Sequence, residues 1–427
     1  MTTTRRSFMR TTAAAATATG LTAALTAGRT PQGQGSDELK IGLIGCGGRG
    51  SGAISQALKT KGATRLVAIA DMFVDRLEEC VTNLAEDEAL KGRIEVPKQR
   101  RFVGADAYQG VFASDCDVVV IATPPHFRPQ HFEAAIAAKK NVFFEKPVAV
   151  DSPGVRRVLA AAEKAQQLGL VVCCGLQRHH SNGYLEIMKQ IHGGALGRIL
   201  FARCSWNQGG LWHKDRQPQW SDMEWQLRNW LYFTWLSGDH IVEQHVHNID
   251  VGRWAMGDKV PVRVFGVGGR QARTAPEYGH IFDHFGLDYE FDNGVHMLSM
   301  CRQQPGTPGL VAESLKGTKG SCDTQDGRGY EINGPSAWKW SGEYTNPYQQ
   351  EHTDLIASIR AGKPLNELRQ VADSTLAAIA GREAAYTGKV ISLEQFLASP
   401  VSIVPTKLEF GPIPVPAVPV PGNSQTM

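Results

Sequence analysis

The chain has 427 residues, enough for two domains that each bury a sizeable core. Its formal charge is +3, but residues 1–27 hold three arginines and no acidic residue, so the remainder is close to neutral and gives no sign of a nucleic-acid partner. The eight cysteines include no C-x-x-C spacing, which argues against a metal site or a disulfide framework.

The first 35 residues are expected to lie outside the fold. Residues Thr4–Arg10 read TRRSFMR, and a weakly apolar run rich in Ala and Thr follows over residues 13–27. Paired arginines, Phe8 and this run are typical of a twin-arginine export signal, although a disordered basic tail is the alternative. The run is too short and too small-chained for a membrane span. We therefore predict export to the periplasm by the Tat machinery, with no stable membrane anchor.

A nucleotide-binding pattern comes next. The apolar run Ile41–Ile44 predicts a buried strand, the glycine loop Gly45–Gly50 has the form G-x-G-x-x-G, and Ala53–Leu58 is compatible with a helix. A second predicted strand, Arg65–Ala70, ends in Asp71. Together, these features predict a dinucleotide-binding unit.

Each part of that pattern has a physical role. Gly45 permits the tight turn, Gly47 lets the backbone approach a pyrophosphate, and Gly50 lets the helix pack on the strand. The helix N-terminus would hold the phosphates. Asp71 is placed to accept a hydrogen bond from a ribose 2′-hydroxyl and would repel a 2′-phosphate, so NAD is favoured over NADP.

The alternation of strands and helices continues to about residue 175, which predicts a doubly wound α/β domain over residues 36–175. The predicted helices are Val74–Leu90, Gln130–Ala138 and Ser152–Leu168, with Ser152 as the cap of the last. The predicted strands are Asp117–Thr123, Asn141–Phe144 and Leu170–Cys174.

Two of these strands end in residues with possible chemistry. Thr123-Pro124-Pro125-His126 follows one strand, and Glu145-Lys146-Pro147 follows the next, at the sheet edge where ligands bind. Lys146 stands between an apolar run and a proline, where partial desolvation would lower its pKa and suit proton transfer. On position alone, a surface lysine at a strand end is the better interpretation.

The glycine loop, Thr123-Pro124 and Glu145-Lys146-Pro147, at these intervals, resemble the family of glucose–fructose oxidoreductase and inositol dehydrogenase (Gfo/Idh/MocA). The resemblance covers roughly residues 38–395. It implies that Lys146 assists a catalytic histidine and touches a substrate hydroxyl. It also implies a C-terminal domain built on a large, mostly antiparallel open sheet that dimerises, so that we expect an α/β plus α+β protein and a homo-oligomer.

The second half fits that expectation, with a substrate-binding and dimerisation domain over residues 176–399. Its predicted helices are Ser181–His192, Tyr348–Ala361 and Val371–Thr387. Its predicted strands are Ile199–Trp206, Val260–Val267, Leu287–Phe291, Val295–Met300 and Leu310–Glu313, with a hairpin turn at Asp292-Asn293-Gly294. The proline-rich tail, residues 400–427, is expected to be an extended arm or disordered.

The segment Ser237–Trp254 carries the densest chemistry. The family pattern D-x-G-x-H-x-x-D places Glu243 on the acid, His247 on the histidine and Asp250 on the final acid, with His245 in place of the glycine. If the segment is one helix, Glu243 and His247 share a face, so that Glu243 orients His247 as the proton acceptor. A metal site made by Glu243 with the nearby histidines (His240, His245 and His247) and a purely structural role are the alternatives.

Seven of the nine tryptophans lie between Trp206 and Trp254. Trp220, Trp225, Trp230 and Trp235 recur every five residues, a spacing that rotates around a helix and does not make one core stripe. Stacking on a sugar ring and packing in the core or a dimer interface are both open.

These patterns predict an exported NAD-dependent oxidoreductase that acts on a secondary hydroxyl of a sugar or cyclitol. The expected catalytic residues are Lys146, His247 and Glu243, with no metal. The expected cofactor-binding residues are Gly45, Gly47, Gly48, Arg49, Gly50, Asp71, Thr123, Pro124, His126, Glu145 and Lys146. Because free NAD is scarce outside the cytoplasm, we expect the cofactor to be loaded before export and retained.

Two other functions remain open at this point. One is a glycosidase that uses retained NAD for oxidation, elimination, hydration and reduction. The other is a non-enzymatic nucleotide- or sugar-binding protein, although the presence of both Lys146 and His247 speaks against it.

Overall fold

The computed structural model describes residues 38–325 and 328–423. The predicted export signal, residues 1–35, lies outside the described residues. Among the helices that are described, none is both long and apolar enough to cross a bilayer.

The first domain is built on a six-stranded parallel sheet in the order β3-β2-β1-β4-β5-β6. Its strands are β1 (Leu39–Ile44), β2 (Thr64–Asp71), β3 (Arg101–Val103), β4 (Val118–Ile121), β5 (Asn141–Phe144) and β6 (Val172–Cys174). Its helices are α1 (Gly48–Leu58), α2 (Val74–Ala85), α3 (Ala107–Ala113), α4 (Arg128–Ala137) and α5 (Ser152–Leu168). The strand order reverses between β1 and β4, which opens a crevice at their carboxyl ends.

The second domain is built on a nine-stranded sheet in the order β14-β13-β12-β11-β7-β10-β9-β8-β15, in which only the β7–β10 pair is parallel among the described residues. Its strands are β7 (Ile199–Gln208), β8 (Arg263–Gly269), β9 (His284–Glu290), β10 (His296–Gln303), β11 (Leu310–Gly317), β12 (Ser321–Gln325), β13 (Gly329–Asn333), β14 (Trp338–Lys339) and β15 (Ile391–Ser392). The predicted fold class, including the mostly antiparallel sheet, is confirmed.

Helices of the second half cover one face of that sheet and return to the first domain. They are α6 (Asn182–His192), α7 (Asp222–Arg228), α8 (Thr234–Ser237), α9 (His240–Glu243), α10 (Val246–Ala255), α11 (Pro347–Ala361), α12 (Leu368–Thr387) and α13 (Leu393–Ala398). Helix α11 packs against α1, and α12 packs against both α5 and β8. The last third of the chain therefore packs on elements of both domains.

Two local predictions in the first domain were wrong. The helix expected over Val74–Leu90 ends at Ala85, because the Asp87 carboxylate accepts from the backbone N–H of Ala89 and starts a separate short turn. The N-cap of α5 is Asp151, whose Oδ1 accepts from the Gly154 N–H at 2.8 Å. Ser152 is instead the first helical residue.

The proline-rich tail is an extended arm over its described residues, 400–423, which contain neither helix nor strand. Ser402 Oγ donates to Asp151 Oδ2 at 2.8 Å, and the Met223 N–H donates to the Gly411 carbonyl at 3.1 Å. The ring of Phe410 stacks on that of Phe73, with centroids 6.1 Å apart. The arm thus packs behind the wall of the nucleotide crevice, because Phe73 lines that crevice.

Candidate active site

A cavity of about 580 Å³ opens at the carboxyl ends of β1, β2 and β4. The first domain lines it with the glycine loop, Asp71 and the Thr123-Pro124 turn. The opposite wall belongs to the second domain and consists of Leu211, Trp212, Lys214, Leu227, Arg228, Trp230, Leu231, Glu243 and Gln244. A crevice between a parallel sheet and a second domain is the expected place for a dinucleotide.

The glycine loop leaves room for a phosphate group. Gly45 has a φ of 97°, and a Cβ there would lie 2.7 Å from the backbone of Ala122 and Thr123. A Cβ on Gly50 would lie 1.8 Å from the Gly45 carbonyl oxygen, so only glycine lets α1 begin this close to β1. Gly47 and Gly48, in contrast, face the cavity with no atom within 4 Å of a Cβ. The loop therefore forms an open cradle at a helix N-terminus, which suits a pyrophosphate.

Asp71 closes one end of the cavity and holds the loop. Its Oδ2 accepts from the Cys46 N–H at 2.7 Å, and its Oδ1 accepts from the Phe73 N–H at 2.9 Å. Burial raises the pKa of this carboxyl, and the two backbone hydrogen bonds oppose that shift. The carboxylate sits in the position from which it can also accept from a ribose hydroxyl.

Arg49 links the loop to two buried carboxylates. Its Nε donates to Glu145, and its second terminal nitrogen donates to Glu351 Oε1 at 2.6 Å. Burial alone would lower the pKa of Arg49, but Glu145 and Glu351 raise it, so the guanidinium stays charged. The sequence predicts that Arg49 and Glu145 bind the cofactor. In the structure their charged groups pair with each other, and Arg49 also pairs with Glu351 of α11.

Lys146 is held by Glu243. Its Nζ donates to the Glu243 backbone carbonyl and lies 3.0 Å from Glu243 Oε1. The side chains of Lys146 and Glu243 are 12% and 15% exposed, so the ion pair is largely shielded from water. Glu243 lines the cavity, whereas Lys146 is not among the lining residues. The structure therefore brings together two of the three predicted catalytic residues from different domains.

His247 lies close to this pair but does not contact Glu243 through a hydrogen bond. Its imidazole is 5% exposed, its Nδ1 has no hydrogen-bond partner, and its ring stacks on Trp206 with centroids 5.7 Å apart. Burial lowers the pKa of His247 well below 6.5, and the charges of Lys146 and Arg178 lower it further. The imidazole is neutral at neutral pH and able to accept a proton.

The expected single helix over this segment is broken. Helix α9 ends at Glu243 and α10 begins at Val246, so Glu243 and His247 do not share a helix face and Glu243 pairs with Lys146 instead. Between the two helices, the N–H groups of Gln244 and His245 both donate to the His240 carbonyl, at 2.9 and 3.2 Å, so the regular helical hydrogen bonding stops there. Residue spacing alone does not mark the position of this break.

The other histidines of this segment lie apart. His240 Nδ1 pairs with Asp239 at 2.8 Å, and His245 Nε2 lies 2.6 Å from Ser299 Oγ. Asp250 bonds to His179 Nε2 at 2.6 Å. Over residues 38–325 and 328–423, the donor atoms of His240, Glu243, His245 and His247 do not converge, so the alternative of a metal site there finds no support.

His126, which the sequence predicts to bind the cofactor, is not among the residues that line the nucleotide cavity, and its role stays a prediction. It lines a second cavity of about 410 Å³ between α5 and the C-terminal arm, and its ring contacts Trp235 with centroids 5.0 Å apart. Burial lowers its pKa to about 4. The adjacent Thr123 does line the nucleotide cavity, where Arg128 Nε donates to its carbonyl at 2.8 Å.

The tryptophans divide into two groups. Trp225 and Trp235 are buried in a core cluster, which is one of the two roles left open for the tryptophans. Trp212 and Trp230 line the cavity with their rings 6.1 Å apart, and Trp212 is 46% exposed. Sequence reasoning did not single out Gln244, Phe73 or Arg228 as cavity residues, since no local pattern marks them.

Comparison with known proteins agrees with this architecture. Residues 39–172 match the family model described as an oxidoreductase family with an NAD-binding Rossmann fold, and residues 184–323 match the Gfo/Idh/MocA C-terminal domain. The chain belongs to the Gfo/Idh/MocA oxidoreductase family. Its first domain is accordingly an NAD-binding Rossmann domain, and the open cradle at Gly47 and Gly48 fits that cofactor.

Individual relatives of this Gfo/Idh/MocA protein are distant. It is 28% identical over 220 residues to inositol 2-dehydrogenase of Klebsiella pneumoniae (strain 342), an alignment that covers 52% of this chain and 55% of the relative. The chain thus spans about half the length of the curated relatives that it matches. Among solved structures, aldose-aldose oxidoreductase of Caulobacter crescentus, complexed with glycerol, has a TM-score of 0.65 at 18% identity, covering 83% of this chain and 99% of that one. Levoglucosan dehydrogenase with NADH and levoglucosan has a TM-score of 0.64 at 18% identity, covering 83% and 99%.

Proposed function

We propose that this protein is an NAD-dependent oxidoreductase that acts on a secondary hydroxyl of a sugar or cyclitol. The observation that carries the proposal is the shielded Lys146–Glu243 ion pair beside the neutral His247, in which Glu243 lines the nucleotide cavity. The names of relatives support the substrate class, since they include inositol 2-dehydrogenase and levoglucosan dehydrogenase.

The cofactor, Lys146, His247 and the cavity tryptophans have separate roles in this reaction. NAD, when bound, supplies the hydride acceptor. The ammonium of Lys146 donates hydrogen bonds and can orient a substrate hydroxyl once its ion pair with Glu243 opens. The neutral imidazole of His247 accepts the hydroxyl proton, and its low pKa favours passing that proton onward. Trp212 and Trp230 offer aromatic faces on the opposite wall, which suit the apolar face of a sugar ring.

A substrate screen tests this function. The purified protein, with NAD, is offered sugars, cyclitols and glycosides, while the absorbance of reduced nicotinamide and the products are followed. A ketone product with matching reduction of the cofactor supports the proposal. Glycoside cleavage without net reduction would favour the glycosidase cycle instead, and no reaction with any compound despite NAD binding would favour a binding protein.

We also propose that the protein is exported and keeps its cofactor. The twin-arginine pattern at Arg5-Arg6 supports export of a folded protein, and the aromatic side chains of Trp212, Trp230 and Phe73, which line the cavity, offer apolar contacts that slow release. Protein isolated from the periplasm is expected to carry nucleotide and to sustain many turnovers without added NAD. An empty protein that needs free NAD for each turnover would contradict retention while leaving the oxidoreductase proposal intact.

Cofactor choice gives a further prediction. Asp71→Asn keeps an acceptor for one of the two backbone N–H groups, of Cys46 and Phe73, and removes the charge that repels a 2′-phosphate and strengthens the hydrogen bond from the ribose. The preference for NAD over NADP should therefore narrow by about 10- to 100-fold, the value of a hydrogen bond to a charged group. Dissociation constants for both nucleotides measure this, and Glu78→Gln on the neighbouring helix α2 is the control. Tighter binding of NADP than NAD by the unmutated protein would rule out Asp71 as the selector.

Finally, we propose that two copies associate through the outer face of the nine-stranded sheet. Phe265, Val267, Leu298 and Met300 are 38–63% exposed on β8 and β10. The register places Phe265 and Leu298 opposite one residue of β9 and Val267 and Met300 opposite another, so the four form one patch. Sedimentation should give a dimer that Leu298→Lys weakens, and a monomeric wild type at micromolar concentration would contradict the proposal.

A further inference from the structure

A second cluster of reactive side chains lies outside the nucleotide cavity. It consists of Cys173 on β6, His180 in the turn that follows β6, and Glu367 immediately before α12. One ligand atom from each residue lies within 4.8 Å of the other two. Cys173 is fully buried, and the side chains of His180 and Glu367 are 5% and 15% exposed. None of the three residues lines the nucleotide cavity.

The imidazole of His180 is oriented towards the other two residues. Its Nδ1 pairs with Asp354 Oδ2 at 2.6 Å, and Gln350 in turn donates to the other oxygen of Asp354 at 2.7 Å. The ring therefore presents Nε2 to Cys173 and Glu367. A carboxylate that fixes one nitrogen of a histidine while the other nitrogen faces a ligand set is the usual arrangement behind a metal-binding histidine.

The distances fit a tetrahedral ion. His180 Nε2 lies 3.7 Å from Cys173 Sγ and 3.2 Å from Glu367 Oε1. With zinc–sulfur, zinc–nitrogen and zinc–oxygen bonds of about 2.3, 2.0 and 2.0 Å, tetrahedral ligands are separated by about 3.6 Å for S···N and about 3.3 Å for N···O. The remaining oxygen of Glu367 accepts from the Cys174 N–H at 2.7 Å, which holds Oε1 in place.

A further buried carboxyl group lies beside the cluster. Glu351 is fully buried next to the cluster: its carbonyl lies 3.4 Å from Cys173 Sγ, and its Oε2 has no hydrogen-bond partner. It shares the single guanidinium of Arg49 with the buried Glu145. The Glu351 carboxyl group and the Cys173 thiol therefore belong to one buried polar region.

We propose that Cys173, His180 and Glu367 bind a divalent transition-metal ion, with Zn²⁺ as the ion that best fits one thiolate, one imidazole and one carboxylate, and with water in the fourth position. Binding releases the thiol proton of Cys173 and the imidazolium proton of His180 to solvent. The ion would tie β6 to the start of α12 and so fix the elements behind Glu145 and Lys146. The sequence suggested no such site, because Cys173, His180 and Glu367 have no metal-motif spacing.

Metal analysis of the purified protein, prepared without chelator, tests the proposal. We expect about one zinc ion per chain in the wild type and in Cys174→Ser, and its loss in Cys173→Ser and His180→Gln. Cys174 is the matched control, since it is an equally buried thiol on the same strand that is not part of the cluster. Equal zinc content in Cys173→Ser and the wild type, or an absence of zinc and of zinc uptake in the wild type, would overturn the proposal.

Cobalt substitution keeps the test decisive if a variant fails to fold. The wild-type protein, stripped of metal and titrated with Co²⁺, should develop a thiolate-to-cobalt charge-transfer band and the visible bands of a tetrahedral site, saturating near one equivalent. The same bands should persist in Cys174→Ser. A titration without thiolate bands, or bands that vanish in Cys174→Ser while its circular dichroism is unchanged, would refute the assignment.

Discussion

Lys146→Ala and His247→Ala should each lower turnover by about 10²–10⁴-fold, the range for loss of a positioned proton-transfer group, while NAD stays bound. Binding survives because neither side chain lines the cavity that the glycine loop and Asp71 form. Steady-state rates on a substrate from the screen measure the loss, and fluorescence titration with NADH measures binding. Lys164→Ala, an exposed lysine on α5, is the matched control.

The double variant with both Lys146→Ala and His247→Ala shows whether the two residues act together or independently. If Lys146 orients the hydroxyl that His247 deprotonates, the double variant should be little worse than the worse single variant. Glu243→Gln should have a smaller effect, because it removes the ion-pair partner of Lys146 but keeps the backbone carbonyl that Nζ also contacts. Near-normal rates in His247→Ala would remove His247 from the mechanism.

The sequence predicted the parts of the site whose contacts join residues close in the chain, and missed the parts whose contacts join distant residues. The glycine loop and Asp71 act through neighbours in one βαβ unit, and their geometry follows the local pattern. Arg49 could not be understood in that way, since its partner Glu351 lies 302 residues along the chain. The same reason applies to Trp212 and Gln244, which reach the cavity only because the second domain folds over it.

The fold shows the same division. Strand β5 and helix α5 have the bounds that their apolar patterns predicted. Strands β12, β13 and β14 escaped notice because they are short, and polar residues face outward along them; pairing with neighbouring strands holds them in the sheet. The prediction of one helix around Glu243 was wrong for a different reason, since the helix is interrupted at Gln244 and His245, where residue spacing gives no sign of a break.

Acidification should destabilise the protein steeply below pH 6.5. Six buried histidines have pKa values lowered from 6.5 by burial, to about 4 for His126 and His280, to about 3 for His131 and His245, and well below 6.5 for His247 and His352. The unfolded chain takes up these protons as the pH falls through 6.5, whereas the folded protein does not. Stability is therefore lost with falling pH.

Other groups change the size of this effect but not its sign. Burial raises the pKa of Glu351 and of Asp71, so the folded state binds protons there more readily than the unfolded chain, which opposes the histidines. In the protein without bound metal, the pKa of His180 is about 10; burial would lower it, but Asp354 and Glu367 raise it, so its stabilisation is fully present below pH 6.5 and lost only as the pH rises through 10. A net difference of about four protons corresponds to about 5 kcal/mol per pH unit near pH 5.

Chemical denaturation at pH 7, 6 and 5 measures this slope directly. A typical domain has a free energy of unfolding of about 5–15 kcal/mol, so a slope of this size removes a large part of it between pH 6.5 and pH 5. His280→Asn should reduce the slope by about one proton, because it replaces a buried titrating side chain with one that does not titrate. The exposed His296 provides the control variant His296→Gln. A free energy of unfolding that stays constant from pH 7 to pH 5 would mean that these histidines are protonated in the folded state, and the neutral His247 required for proton transfer would have to be abandoned with them.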